Sequence, residues 1–484
     1  MKKIVGIIAA LALAGSVFAD PDITPVQTQF DGNAELQWIA DLDAETTGMK
    51  NSESATFKIK FINEGTKTTP STDGLWGELT VKGATVEGTS GTNFAVSAAS
   101  VEAAKIHFVD GDMYFNMDIR KPGFAVGKIG WTRALYNGGD KGWSNASFGD
   151  IGGGYKYVSG YTDDEEEIMY NTGMKDADGK DIKVGTGVKA KKGTKTATEA
   201  DYQGFTLNFG LPIVDLTFAL GDNGQQKAAD KEFAWKAAAT LKPVDGLSFY
   251  VGATGCTADE YKEKTAVAVA LGYSYAINEQ FSLKPAVQFA MLGKQMDLSA
   301  ALFFGWGADS GQYKSAFLQF DNAKSLNVAD NDWRTTDGLS LMFVKNLKNA
   351  AGQDAKTSEL AIEAYDAKFL GDYGVTWALA YRAKGADDTF IKNGALSFGA
   401  IYNTNFDIIH FTAKVSTGVD LSQQDDKFGI KYGLNVGTKE VVANTDLYVD
   451  YVGSLCKFAP DKGCKPDANG LKAGTVTLGA KISF

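Results

Sequence analysis

The chain has few of the side chains on which most enzyme active sites depend. It contains two histidines, His107 and His410, and each lies on the polar side of a segment with strand-like alternation. The nucleophile elbow GxSxG, the zinc motif HExxH and the P-loop pattern do not occur. We therefore predict that the protein is not an enzyme and has no catalytic, cofactor-binding or metal site.

Cysteine is also scarce, with three residues in 484. Cys456 and Cys464 bracket the turn-rich segment "CKFAPDKGC", and in an exported chain this spacing predicts a local disulfide, with two free thiols as the alternative. Cys256 is left over. No CxxC pair and no neighbouring histidine indicates a metal site.

Long apolar runs are missing after the N-terminus. There, Lys2 and Lys3 precede "IVGIIAALALAG", and small residues follow at Val17 and Ala19. This order predicts a signal peptide at residues 1–19, cleaved before Asp20 and directing Sec export. No later stretch approaches the roughly 20 apolar residues of a membrane-spanning helix. A membrane β-barrel is still allowed, because only every second residue of its strands meets lipid.

Basic residues are outnumbered, 48 against 59 acidic ones, and the formal net charge is −11. A nucleic-acid partner is therefore disfavoured, since such binding needs a basic surface to displace counterions. Proline is rare as well, at 9 residues, beside 55 glycines.

Alternation of apolar and polar residues is abundant. In the closing segment "GTVTLGAKISF", Val476, Leu478, Ala480, Ile482 and Phe484 alternate with small or polar residues. Roughly twenty segments of this kind, each about 8 to 12 residues long, recur along the chain, and a barrel strand crossing a bilayer needs about 9–11. Ordinary globular strands are shorter, with a mode of about 5–6 residues. We predict an all-β fold: a large antiparallel transmembrane β-barrel of roughly 16–22 strands with long polar loops.

The alternation weakens in one region and divides the mature chain. We predict an N-terminal region at 20–203, with strands and a polar insertion at 137–201, and a C-terminal β-barrel region at 204–484. The insertion contains the acidic run Asp163–Glu167 and a lysine-rich stretch after it. It is interpreted as a solvated loop or a partly disordered insertion; a surface loop that contacts a partner and a constriction folded into the pore are the alternatives.

Several basic residues fall on the inward-facing side of the predicted strands. If they face a constriction they favour anions, whereas a mixed lumen has weak selectivity. The predicted pore-lining residues are Lys236, Lys284, Arg382, Lys414, Lys431 and Lys481.

Four segments carry a family resemblance: "QFDGNAELQW", "GFTLNFGLPIVDLTFALGDNG", "WKAAATLKPVDGLSFYVGATG" and "LGAKISF". In these the sequence resembles the treponemal major outer sheath protein family, also called major surface proteins. The resemblance implies an abundant, surface-exposed outer-membrane porin that forms an oligomer such as a trimer and acts as an adhesin for host extracellular-matrix proteins. It also implies a separate N-terminal domain, although alternation begins as early as Glu35 and favours one large barrel.

The final residue fits the same interpretation. Exported barrels commonly end their last strand in an aromatic residue, so Phe484 is predicted to be an assembly signal. The leading hypothesis is a porin in contact with outer-membrane lipid that passes small hydrophilic solutes. A surface adhesin with the barrel as its anchor is the second hypothesis, and a soluble exported β-rich binding protein is the third.

Overall fold

The computed structural model describes most of the chain after residue 26. The described ranges are 27–62, 74–82, 86–89, 93–96, 100–119, 122–129, 131–136, 143–148, 151–175, 181–225, 231–306, 337–367, 369–421, 428–442, 444–456 and 471–483. The predicted signal peptide, Cys464 and Phe484 lie outside them.

The described ranges are built almost entirely of strands. Those before residue 202 are β1 (Gln27–Asp41), β2 (Thr46–Ile62), β3 (Gly74–Lys82), β4 (Val86–Thr89), β5 (Asn93–Val96), β6 (Ser100–Asp110), β7 (Met113–Ile119), β8 (Trp131–Tyr136), β9 (Trp143–Phe148), β10 (Lys156–Lys175) and β11 (Asp181–Asp201). Those from 203 to 306 are β12 (Gln203–Leu211), β13 (Val214–Asp222), β14 (Phe233–Val244), β15 (Leu247–Cys256), β16 (Ala266–Tyr273), β17 (Tyr275–Ala276), β18 (Phe281–Leu292) and β19 (Gln295–Trp306). The last are β20 (Gly338–Lys348), β21 (Asp354–Asp366), β22 (Val375–Ala386), β23 (Gly394–Phe406), β24 (Ile409–Asp420), β25 (Phe428–Val442), β26 (Thr445–Cys456) and β27 (Leu471–Ser483). Two short 3-10 helices, Gly371–Tyr373 and Phe390–Asn393, lie in connections.

Twenty strands pair in a closed antiparallel ring. The order around the wall is β1, β2, β3, β6, β7, β12 to β16, and β18 to β27, with β17 continuing β16 against β18. β27 pairs back onto β1, with Lys481 opposite Glu35 and Thr475 opposite Asp41. The predicted large antiparallel β-barrel is confirmed. β1 to β7 contribute to the same closed sheet as the later strands, with β4 and β5 as a side hairpin beside β2.

Most two-residue connections lie at one rim, here called the turn rim, where β6–β7, β12–β13, β14–β15 and β23–β24 are joined. Gly246 completes one of these turns with φ 78°, a left-handed backbone conformation that glycine adopts without steric cost. The opposite rim, the loop rim, carries the long excursion between β7 and β12.

The two faces of the wall differ as the period of two requires. One face carries large apolar side chains that stay exposed, such as Phe249 on β15, Leu271 on β16 and Leu478 on β27, the last 44% exposed. The other face carries small or polar residues, for example Ala268 and Thr254, both buried inside the ring. A continuous apolar outer surface is costly in water and is satisfied by lipid.

Aromatic side chains gather near the turn rim on the outer face. Phe281 stacks on Phe304 with ring centroids 5.7 Å apart. The indole N–H groups of Trp306 and Trp377 each donate to one carboxylate oxygen of Asp366 at 3.2 Å. Aromatic girdles of this kind mark the membrane–water interface of barrels, where a ring contacts lipid and its polar atom is hydrogen-bonded.

Candidate functional site

The lumen contains part of the chain itself. Between β7 and β10, the segment 122–129 runs inside the barrel, where Phe124, Val126 and Ile129 are buried. Val126 forms an antiparallel bridge with Ile151, which returns along the same path. We call the described residues 122–129 and 151–155 the inner segment. Residues 122–129 lie before the predicted insertion at 137–201, and Ile151 lies within it.

One wall glutamine holds the middle of the inner segment. Gln288 on β18 points inward and is 1% exposed. Its Oε1 accepts hydrogen bonds from the backbone N–H groups of Lys128 at 2.6 Å and Ile129 at 3.1 Å. Because buried N–H groups need acceptors, Gln288 fixes the position of the segment against the wall.

Two wall hydroxyls hold its first residues. The Gly123 N–H donates to Thr206 Oγ1 at 3.2 Å, and the Gly127 N–H donates to the Tyr250 hydroxyl at 3.3 Å. The inner segment is thus hydrogen-bonded to β12, β15 and β18 in turn.

The wall beside the inner segment is lined with small residues. Inward positions of β16 are alanines, as are two of those on β14, and Ala234, Ala266, Ala268 and Ala270 are at most 1% exposed. Val126 packs on the alanines of β16, while Phe124 and Tyr155 pack near Ala234. Small side chains leave room in the lumen, and side chains of the inner segment pack into it.

The inner segment continues across the lumen as the β8–β9 hairpin, in which Trp131 pairs with Phe148. β8 lies against β22, β23 and β24. Ser397 on β23 and Ser416 on β24 face inward there and are fully buried.

All six predicted pore-lining residues occupy inward register positions, but their exposure differs. Lys284 is 2% exposed and Lys414 is 6% exposed. The other four, Lys236, Arg382, Lys431 and Lys481, are half-buried.

A cavity of about 290 Å³ lies between the inner segment and β18 to β22. Its charged side chains form a mixed cluster. Glu359 contacts Lys384 Nζ at 2.6 Å and Arg382 Nη2 at 3.8 Å. Asp297 contributes a second carboxylate, whose Oδ2 accepts from Gln295 Nε2 at 3.0 Å. With two cations and two anions, the cavity is formally neutral.

The strands that close the barrel share a hydrogen-bonded cluster, here called the seam cluster: Glu35, Gln37, Tyr448 and Gly479. The Tyr448 hydroxyl donates to Glu35 Oε1 and accepts from Gln37 Nε2, the latter at 2.8 Å. Tyr448 lies on β26 and its partners lie on β1, so its ring must cross β27. It does so over Gly479, where any Cβ would overlap the ring.

Rows of hydrogen-bonded polar side chains on neighbouring strands, here called polar ladders, continue from the seam cluster. His410 Nε2 lies 3.1 Å from Asn435 Oδ1, and Asn435 Nδ2 donates to Asp450 Oδ1 at 3.4 Å. Across the closure, His107 Nδ1 lies 2.7 Å from Asn116 Oδ1. Both histidines therefore face the lumen as members of hydrogen-bonded ladders.

Two ionisable groups at the loop rim have shifted pKa values. The hydrogen bond from Lys345 Nζ, followed by one from Ser358 Oγ at 2.6 Å, lowers the pKa of the Asp387 carboxyl. Burial raises the pKa of the Tyr261 hydroxyl, whose ring meets that of Tyr155 edge-on at 5.1 Å.

The predicted polar insertion also contains a long separate hairpin. β10 pairs with β11 as an independent two-stranded sheet. The register places Asp163 opposite Lys195, Glu165 opposite Lys191 and Glu167 opposite Lys189. The sequence suggested a loop here because apolar alternation is weak, whereas opposite charges on facing strands favour pairing.

The structure describes two of the three cysteines, Cys256 and Cys456. Cys256 is a free, buried thiol whose Sγ lies 3.3 Å from the Tyr202 hydroxyl. Cys456 ends β26, and its predicted partner Cys464 lies outside the described residues. The predicted assembly residue, Phe484, follows β27 and lies outside them too.

Within the described part of the chain, no helix is long and apolar enough to cross a membrane. No group of three or more His, Cys, Asp or Glu side chains there could hold a metal ion.

Sequence reasoning missed the residues that position the inner segment, above all Gln288 and Tyr250. A signal was present in "AVAVALG", where the inward positions are alanine, and in the inward Ala234 and Ala238 of β14, where a water-filled wall would carry polar residues. Small inward residues on neighbouring strands indicate that something else packs against them.

A closed wall that is apolar outside, and that holds polar ladders and a folded segment inside, defines a transmembrane β-barrel of the porin type. No family model matches the chain. It is 25% identical over 413 residues to the major outer membrane protein MspA of Treponema maltophilum, covering 73% of this chain and 70% of the relative. It is 42% identical over 83 residues to the major surface protein MspTL of Treponema lecithinolyticum, covering 17% of this chain and 14% of the relative. The chain is thus related to the treponemal major surface proteins, which confirms the resemblance found in the sequence, and it is an outer-membrane protein.

The similarity of the chain to solved structures is weaker. A BenF-like porin from Pseudomonas fluorescens Pf-5 has a TM-score of 0.37 at 9% identity, covering 95% of this chain and 98% of that one. OccK11 (OpdR) of Pseudomonas aeruginosa has a TM-score of 0.36 at 8% identity, covering 94% and 96%. The fold of the present chain rests on its own strand pairing.

Proposed function

We propose that the barrel is a pore through which small hydrophilic solutes diffuse across the outer membrane. The observation that carries this proposal is the closed ring of twenty strands with polar, half-buried groups such as Asn435, Asp450 and Gln37 on its inner wall. Rings of about 16 or more strands are wide enough to leave an aqueous lumen. The inner segment narrows this lumen and sets an upper size for the solute.

Selectivity between anions and cations is proposed to be weak. Lys284 and Lys414, two of the predicted lining residues, are buried and their charges are not in direct contact with passing solute. Around the cavity beside β18 to β22, acidic and basic groups balance. Strong selectivity requires a ring of one charge sign.

Single-channel recording of the refolded mature protein in a planar bilayer tests the pore. The expected result is stable steps whose conductance rises in proportion to salt concentration. Heat-dependent migration on a gel verifies in the same sample that the barrel is folded. An absence of steps from folded, inserted protein would contradict the pore and would favour the second candidate.

The second candidate is a surface adhesin that binds host extracellular-matrix proteins. The β10–β11 hairpin supports it, because this long two-stranded sheet pairs with no wall strand among those described. Tyr157 and Ala200 face each other near its base, so a short Gly-Ser turn can join them in a variant without the hairpin. If the hairpin carries adhesion, this variant loses binding to immobilised matrix protein and keeps its conductance. Equal binding by both proteins would contradict that role.

That the protein forms a homo-oligomer such as a trimer remains a prediction.

A further inference from the structure

The inner segment packs against one side of the barrel. We call the wall from β14 to β24 the covered arc. Inward side chains from many of its strands are almost completely buried: Thr254 on β15, Ser282 on β18, Phe303 on β19, Tyr365 on β21 and Ser397 on β23 are all at most 3% exposed. These five side chains are therefore shielded from water, while the cavity beside β18 to β22 remains lined by charged groups.

The remaining wall has a different exposure. We call β25, β26, β27, β1, β6 and β7 the open arc; β2 and β3 lie between its parts. Its inward side chains are half-buried and polar, among them Asn435, Asp450, Thr477, Gln37 and Asn116. Both arcs belong to the same closed ring of strands. Their difference in side-chain exposure therefore comes from what packs inside the barrel and not from the wall strands.

Hydrogen bonds to three wall side chains hold the inner segment against one side of the barrel. Tyr250 and Gln288 on the covered arc, and Thr206 on β12 between that arc and β7, hold the backbone of the inner segment. The β8–β9 hairpin extends the covering to β22, β23 and β24.

We propose that the water-filled passage is off-centre and runs along the open arc, between the inner segment and the closing strands of the barrel. This proposal rests on the proposed pore. It states which path solute takes through the barrel and which part of the wall determines specificity. Solute meets amides, hydroxyls and charges of both signs there, including Lys431, Lys481, Asp450 and Glu35. Such a wall offers hydrogen bonds to small polar solutes of either charge or none.

Two matched cysteine variants test the path, in a background where Cys256, Cys456 and Cys464 are each replaced by alanine. Thr477→Cys places a thiol on the open arc, and Ser397→Cys places one on the covered arc. Both changes replace a small hydroxyl side chain by a thiol and disturb packing little. The probes are two membrane-impermeant methanethiosulfonate reagents, one adding a sulfonate and one adding a quaternary ammonium group.

Labelling is measured by mass on folded, heat-modifiable protein, and conductance is recorded before and after. Because reactivity follows exposure, we expect labelling of Thr477→Cys to be at least about tenfold faster than that of Ser397→Cys. Modification of Thr477→Cys should lower conductance in steps, and the two reagents should shift cation-over-anion permeability in opposite directions.

Equal labelling of both thiols, or block of the channel only through Ser397→Cys, would overturn the off-centre path. If Thr477→Cys is labelled selectively but the protein never conducts, water reaches the open arc and the proposed pore is refuted. The two proposals therefore fail in distinguishable ways.

Discussion

Replacing Gly479 by alanine should loosen the closure of the barrel. A Cβ at this position overlaps the Tyr448 ring, so the ring has to swing away from β27. Tyr448 then loses its contacts with Glu35 and Gln37 on β1, which are the side-chain links that span the last strand.

The expected cost follows from those two hydrogen bonds. A bond to a charged carboxylate contributes about 1.5–3 kcal/mol and a neutral one about 0.5–1.5 kcal/mol. Since the cluster is half-buried and water can replace part of each bond, we expect Gly479→Ala to lower the free energy of unfolding by about 2–4 kcal/mol.

Urea-induced unfolding of the protein refolded in lipid vesicles, followed by tryptophan fluorescence, measures this loss. The matched control is Gly48→Ala on β2. Gly48 also faces inward, and a Cβ there meets no atom within 4 Å. Its substitution should change stability by less than about 1 kcal/mol, the ordinary effect of glycine entropy.

A double mutant isolates the cause. In a Tyr448→Ala background no ring remains to be displaced, and Gly479→Ala should become nearly neutral. If Gly479→Ala matches Gly48→Ala in the wild-type background, or costs as much with Tyr448 absent as present, the reasoning about the seam cluster is refuted.

Three further changes have defined outcomes. Gln288→Leu removes the acceptor of two buried backbone N–H groups, at about 1–3 kcal/mol each, so the inner segment should become sensitive to limited proteolysis and the channel noisier; unchanged cleavage would contradict its holding role. Asp366→Ala strips two indole donors and a backbone N–H of their acceptor and should lower the urea midpoint, whereas Asp372→Ala, at an exposed position nearby, should not. Deleting Phe484 should reduce outer-membrane assembly more than deleting Asp461, as measured by the heat-modifiable fraction in membranes; equal assembly would count against the terminal aromatic as a signal.

The wall strands could be predicted well because lipid imposes a strict rule on every second residue. The alternation in "IHFTAKVSTGV" predicts a strand from Ile409, and β24 begins at that residue and ends at Asp420. In the same way, "MYFNMDIR" predicts a strand from Met113, where β7 begins. Each outward residue meets the same apolar surroundings, so local sequence is sufficient.

The inner segment could not be predicted in this way. "GFAVGKIG" is too short and too rich in glycine to show a period, and its Phe124, Val126 and Ile129 are buried by distant parts of the chain. Ile129 packs with Met342 and Ile401, more than 200 residues later in the sequence. Which inward lysines become buried, as Lys284 and Lys414 do, depends on this packing and has no local signature.

The seam cluster was hidden for a related reason. Gly479 sits within a regular alternating segment, where it resembles any other small inward residue. Its requirement for glycine comes from a tyrosine on the neighbouring strand and from that tyrosine's hydrogen-bond partners on the strand beyond. Pairings of residues more than 400 positions apart cannot be read from one sequence.

A barrel that encloses a piece of its own chain constrains the order in which it folds. The inner segment lies early in the sequence, but its contacts on β18 to β24 form only when most of the wall strands are in place. The pairing of β27 with β1 then closes the ring. If that closure preceded docking, the segment would have to enter through a finished rim. Closure between strands so far apart in sequence is intrinsically slow, and this delay gives the inner segment time to settle in its alanine-lined recess before the ring shuts.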